Sequence, residues 1–172
     1  PKIKSNCGSM LLFILIIISI ISCEKGDKTV KVPQFLVNKA IAKKFPIEKN
    51  LVLARAVISD PKVSFSGDRL VMNLSYKMSL MGEKLEGKTK VSSKVSFNQD
   101  TREVYLDDLL IDEIKNNDGT LVEKGKVYDI LNELLANYIA KKPVYEMEEK
   151  YKDYEIKDIK IEKGGLYVTV KD

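Results

Sequence analysis

Leu70-Val71-Met72-Asn73-Leu74-Ser75-Tyr76-Lys77-Met78-Ser79-Leu80 decides the fold. Every even position is large and apolar, and the odd positions from 73 to 79 are polar. A repeat of two belongs to a β-strand with one buried face, because successive side chains leave opposite faces of the backbone. Turn residues bracket the run, Ser66-Gly67-Asp68 before it and Met81-Gly82-Glu83 after it. Past the second turn, Leu85, Thr89, Val91, Val95 and Phe97 alternate with Glu86, Lys88, Lys90, Ser92, Lys94 and Ser96, a further strand. Asn98-Gln99-Asp100 turns again, and Val104 and Leu106 open a fourth strand that runs on through Leu109, Leu110 and Ile111. Its apolar parity switches across Asp107-Asp108, the mark of a β-bulge. Upstream, Leu51–Ile58 reads as one strand that kinks at Asp60-Pro61 and continues through Val63 and Phe65. Long strands joined by short turns predict an antiparallel meander, apolar on one face and lysine-rich on the other.

Two helices flank this meander. Val37, Ile41 and Phe45 fall on one helical stripe, with Pro33 near its start and Pro46 stopping it. Beyond Asn116-Asn117-Asp118-Gly119, helical spacing returns in Val127, Ile130, Leu131, Leu134, Leu135, Tyr138 and Ile139 and lasts to Pro143. That second stripe is wide enough to cover much of a sheet. The charged segment 146–153 reads as a solvated helix or loop. The chain closes on a hairpin, with Ile156, Ile159 and Ile161 leading to Gly164-Gly165 and Leu166, Val168 and Val170 returning.

The N-terminal part has another logic. Leu11–Cys23 is an apolar run of about a dozen residues, shorter than the roughly 20 needed to span a bilayer, and it matches the h-region of a secretory signal. Lys2 and Lys4 supply its positive n-region, and a start at Met10 would leave that region without a lysine. Ile20-Ile21-Ser22-Cys23 reads as a lipobox, at which a bacterial signal peptidase cuts before a lipid-bearing cysteine. The organisation expected is a signal peptide over 1–22, a lipidated tether over 23–32 and one domain over 33–172. Cys23 would hold the membrane through its lipid, and Glu24, where an aspartate would favour inner-membrane retention, points to the periplasmic face of the outer membrane.

Composition narrows the chemistry. Of the two cysteines, Cys7 would leave with the signal and Cys23 would be lipidated, so no thiol is left for a disulfide, a metal or catalysis. There is no histidine, hence no ordinary general base near neutral pH and no imidazole ligand. The net charge of +4 is interspersed rather than blocked, which speaks against nucleic acid. Asp107-Asp108 and Asp112-Glu113 are the nearest thing to clustered carboxylates, and they sit at a bulge and a strand end, where solvated acids are ordinary. There is no glycine-rich phosphate loop and no Gly-x-Ser-x-Gly elbow. No enzyme activity, cofactor or metal is expected.

The order of elements, together with Asn38, the run Asn132–Tyr138 leading to Pro143-Val144-Tyr145, and the closing hairpin, resembles the YceB-type bacterial lipoproteins, a family of uncharacterised function. That resemblance implies kinship with tubular lipid-binding proteins, in which a strongly curved antiparallel sheet wraps a long helix around an apolar cavity. The fold expected is therefore α+β, a curved meander wrapped around a long amphipathic helix. An apolar ligand, a lipid or fatty acid, would lie between sheet and helix. Its lining would come from Leu70, Met72, Leu74, Tyr76, Met78 and Leu80 on one strand. Val91, Val95 and Phe97 on the next, and Leu131 and Leu135 on the helix, would complete it. Flexible methionines suit a variable guest. A monomer is expected. The alternative is a structural or interaction lipoprotein of the envelope, with a dry core and no ligand, that binds an envelope protein through a strand edge.

Overall fold

A computed structural model describes residues 26–171. The signal segment, Cys7 and the lipidation site at Cys23 lie outside the described residues. Among the described residues no helix is long and apolar enough to cross a membrane.

The chain opens on strand β1 (Lys28–Val32) and helix α1 (Gln34–Ala42), followed by β2 (Ile47–Leu51), β3 (Ala54–Ser66), β4 (Arg69–Leu80), β5 (Glu83–Asn98) and β6 (Glu103–Asn116). Helix α2 (Lys126–Leu135) runs directly into a π-helical turn at Ala136–Ala140. A two-residue strand β7 (Tyr145–Glu146), a 3-10 turn at Glu149–Tyr151 and the hairpin β8 (Ile156–Glu162) and β9 (Gly165–Val170) complete it. Strands β2 to β7 form a six-stranded antiparallel sheet in sequential order, and β1-β9-β8 form a separate three-stranded sheet.

The period-two reading holds from 72 to 78, while Val71 is also buried and Leu80 is only half-buried. Leu70, Met72, Leu74, Tyr76 and Met78 are buried on the inner face, with Ala56 and Ile58 of β3 and Val91 of β5 beside them. The bulge expected at Asp107-Asp108 is present, since the β5–β6 register shifts between Ser92 and Lys94 and Asp108 takes φ +48°. The kink at Asp60-Pro61 is a second register shift, between Ser59 and Lys62.

Three expectations are corrected. Leu51–Ile58 is not one strand, because the chain reverses at Val52-Leu53 and β2 pairs back on β3. The stretch read as tether is partly structural, since Lys28–Val32 pairs with β9 along its whole length. Finally, among the described residues no sheet wraps a long central helix. At about 1.5 Å per residue, α2 and its π turn reach roughly 22 Å, whereas strands of β5's length reach roughly 50 Å. The helix therefore covers only part of the inner face, through Leu131, Leu134, Leu135 and Ile139, which are all buried. The rest of that face is covered by α1 and by the three-stranded sheet.

Candidate functional site

The division of the inner face into two covers leaves a space under one of them. The β5–β6 turn end of the large sheet contributes Leu70, Val95, Phe97, Val104 and Leu106 to this space. From across it come Val30 and Val32 of β1, Leu36, Val37, Ala40 and Ile41 of α1, Ile156 and Ile159 of β8, and Leu166, Val168 and Val170 of β9. Val144, Tyr145, Met147, Tyr151 and Tyr154 close the side. The cavity measures about 170 Å³, and among the described residues no charged side chain lines it. An apolar cavity of about 150 Å³ stays dry and takes up benzene, so this void is large enough for a ring or a short alkyl segment.

Each wall has a local cause. In β9, alternation turns Leu166, Val168 and Val170 to one side, and pairing with β1 on one edge and β8 on the other holds that side against the cavity. In α1, spacing of three and four residues puts Val37, Ala40 and Ile41 on the facing stripe. The segment from Met147 to Tyr154 is irregular and gains its order from Arg102. The Arg102 guanidinium donates to the backbone oxygens of Tyr151 at 2.9 Å, Tyr154 at 3.0 Å and Lys152 at 3.3 Å, and also to the Met147 sulfur. Lys150 stands 4.9 Å above the Tyr151 ring, and its pKa is raised, chiefly by its hydrogen bond to Glu148.

Charge stays at the rim. The Tyr105 hydroxyl donates to Glu103 Oε2 at 2.6 Å, which lowers the Glu103 pKa and raises that of Tyr105. Lys157 donates to Asp27 at 2.7 Å, and its pKa is raised chiefly by that bond. The carboxylates weighed for chemistry stand elsewhere. Asp108 accepts from Arg69 and Glu113 from Lys115, and among the described residues no three His, Cys, Asp or Glu side chains gather as a metal site would need.

Of the residues expected to line a ligand space, the structure brings Leu70, Val95 and Phe97 to the cavity. Met72, Leu74, Tyr76, Met78, Val91, Leu131 and Leu135 pack into one buried cluster in the main core, and Leu80 is half-buried near the opposite end of β4. The walls supplied by β1, α1, β8 and β9 were missed. The alternation Val30-Lys31-Val32 was the available signal, together with an apolar hairpin face at 166–170 that had no assigned cover.

The sequence matches, over residues 34–164, the model of a family described as "Protein of unknown function (DUF1439)". The chain belongs to the DUF1439 family. No curated protein matches it. The DUF1439 match opens on the first residue of α1 and ends in the turn before β9. The mutually paired strands β1 and β9, which carry Val30, Val32, Leu166, Val168 and Val170 of the cavity wall, thus flank the DUF1439 span.

Proposed function

We propose that this protein is an envelope lipoprotein, held in a membrane leaflet through Cys23, that takes an apolar ligand or the apolar end of one into the cavity between its two sheets. The kinship with YceB-type lipoproteins belongs to the same proposal. The observation that carries it is the lining, which is hydrocarbon and aromatic throughout in a domain whose charged residues stay at the rim. A void of this size in a tightly packed interior costs stability unless something fills it. At about 170 Å³ it suits a ring or the end of an acyl chain better than a whole long chain. The proposal assigns no catalysis and needs no cofactor. The alternative, an interaction lipoprotein with a dry core, leaves this void unaccounted for.

The test is solvent extraction and mass spectrometry of the purified full chain, followed by titration with a fluorescent fatty acid. Co-purified lipid or saturable binding is expected. Val168→Phe, which fills the void from β9, should abolish binding while the chain stays folded. Binding that survives Val168→Phe, or no binding by the parent, would sink the proposal.

A further inference from the structure

At the end of the large sheet remote from the cavity, two hairpin turns lie side by side. The β2–β3 turn carries Val52 and Leu53, and the β4–β5 turn carries Met81 and Gly82. The Met81 amide donates to the Leu53 carbonyl at 2.9 Å, which joins the two turns into one tip. The tip is apolar and bare, with Val52 100 %, Met81 70 % and Leu53 68 % exposed. Turns of two residues ordinarily use asparagine, aspartate or glycine. Met81 instead holds φ +51° beside Gly82 at φ +84°, a left-handed conformation that a methionine adopts at a cost. Three large apolar side chains stand in solvent at this tip, one of them, Met81, on a strained backbone, a combination that invites a functional reading.

The face behind the tip is cationic. The register places Arg55, Lys62, Lys77, Lys84, Lys88 and Lys90 on the outer side of β3, β4 and β5, all of them exposed. Opposing them on β2 to β5 are Glu48, which pairs with Arg55, Glu86, and Asp60 at the bulge. Lys62, Lys77, Lys84, Lys88 and Lys90 form no ion pair among the described residues. Lys88 even stands directly opposite Lys115 in the ladder, a like-charge pairing that weakens a sheet. On β6 Glu113 stands opposite Lys90 and pairs with Lys115, so along this stretch of β2 to β6 seven cations face four carboxylates. Asp107 and Asp108 lie at the other end, near Arg69 and Lys94.

We infer that this outer face and its apolar tip dock on an anionic bilayer, the lysines lying along the headgroups and Val52, Leu53 and Met81 entering the interface. Charge complementarity selects that occupant. Unpaired lysines attract acidic lipid headgroups, and a projecting tip with no flanking wall can be surrounded by lipid on every side. The tip does not depend on the cavity being filled. It stands far from β1, because Asp27 pairs with Lys157, whose carbonyl accepts from Gln99 in the β5–β6 turn. Tether and tip would then touch one leaflet at points roughly 40 Å apart, the length of a 12-residue strand, with the strands lying along the surface.

The chain contains no tryptophan, so Val52→Trp gives a single reporter. The full-length variant is incorporated into phosphatidylethanolamine vesicles with and without phosphatidylglycerol, and brominated acyl chains serve as quenchers. A blue shift and quenching are expected only with phosphatidylglycerol present. Each of Lys84→Gln, Lys88→Gln and Lys90→Gln should lower the inserted fraction relative to the free tip about five-fold. Met81→Trp should report the same behaviour. Water-like emission on anionic vesicles overturns the inference, as does quenching indifferent to the lysines. A shift that grows with protein concentration in the absence of lipid would assign the tip to a second copy instead.

Discussion

Tyr76 and Gly87 face each other across β4 and β5, and the side chain that the glycine lacks is the space the tyrosine uses. Through that gap the Tyr76 hydroxyl donates to the Lys115 carbonyl of β6 at 3.2 Å, tying three strands together at one point. Burial raises the Tyr76 pKa, which keeps the phenol a proton donor across the ordinary pH range. A β-carbon at position 87 would stand 1.8 Å from the Lys115 oxygen and 2.8 Å from the Tyr76 hydroxyl. The first of these is backbone and cannot swing aside. Gly87→Ala should therefore push β5 from β6 and lower stability by about 3 kcal/mol, read from urea denaturation. Parental stability would show that the β5–β6 ladder tolerates a shift at this point.

The main core and the cavity should respond differently to truncation. Met72 is fully buried in the main core cluster, between its ladder partners Val63 and Val91. Met72→Ala should cost about 2–5 kcal/mol and leave fatty-acid binding by the folded fraction unchanged. A loss of binding without a loss of stability would move the ligand site to the sheet–helix interface.

Arg102 holds the segment from Met147 to Tyr154 through three backbone oxygens. Hydrogen bonds involving a charged group are worth about 1.5–3 kcal/mol where they are shielded from water, and of the three the bond to the Tyr151 oxygen is part-buried while those to Lys152 and Tyr154 are exposed. Arg102→Ala should speed hydrogen exchange across residues 147–154 and accelerate release of a bound fatty acid. Arg102→Lys should not restore the parent, since one ammonium cannot serve carbonyls spread around a planar fork. Unchanged exchange in both variants would remove Arg102 from this role.

The turn after β6 should carry an acid-sensitive element. Asp118 Oδ1 accepts from the Thr120 hydroxyl at 2.7 Å and from its amide at 2.9 Å, and the hydroxyl bond is the larger cause of a lowered pKa. A lowered pKa means that the folded state favours the ionised form. The turn's stabilisation is thus complete above the ordinary aspartate range and fades as pH falls through the lowered value. The Thr120 amide resonance should follow that titration, and Asp118→Asn should abolish it. A Thr120 resonance that titrates in the Asn variant as well would assign the effect to another carboxylate.

Much of the meander is legible in the sequence because its strands have one wet and one dry face. Alternation at 70–80 and the parity switch at Asp107-Asp108 translate directly into register and bulge. The turn at Val52-Leu53 is not legible, because apolar residues occupy the place where a polar break would announce it. Strand β1 is hidden for another reason. It is five residues long and its partner is remote, with Thr29 and Thr169 meeting through their hydroxyls at a separation of 140 residues. The candidate site is legible only in Leu70, Val95 and Phe97. Period-two patterning reports which face is dry but not what covers it, so Phe97 beside a void and Met72 in a filled core look alike.

The pairing of β1 with β9 also sets an order of events. The first described strand is made early and must wait for Val168 and Leu166 before its own Val30 and Val32 have partners. Contacts of such long sequence separation form late, after the local hairpins of the meander. The cavity is therefore among the last parts of the molecule to form, and a chain stopped short of residue 165 would have the large sheet and two helices but would lack the β9 wall of Leu166, Val168 and Val170.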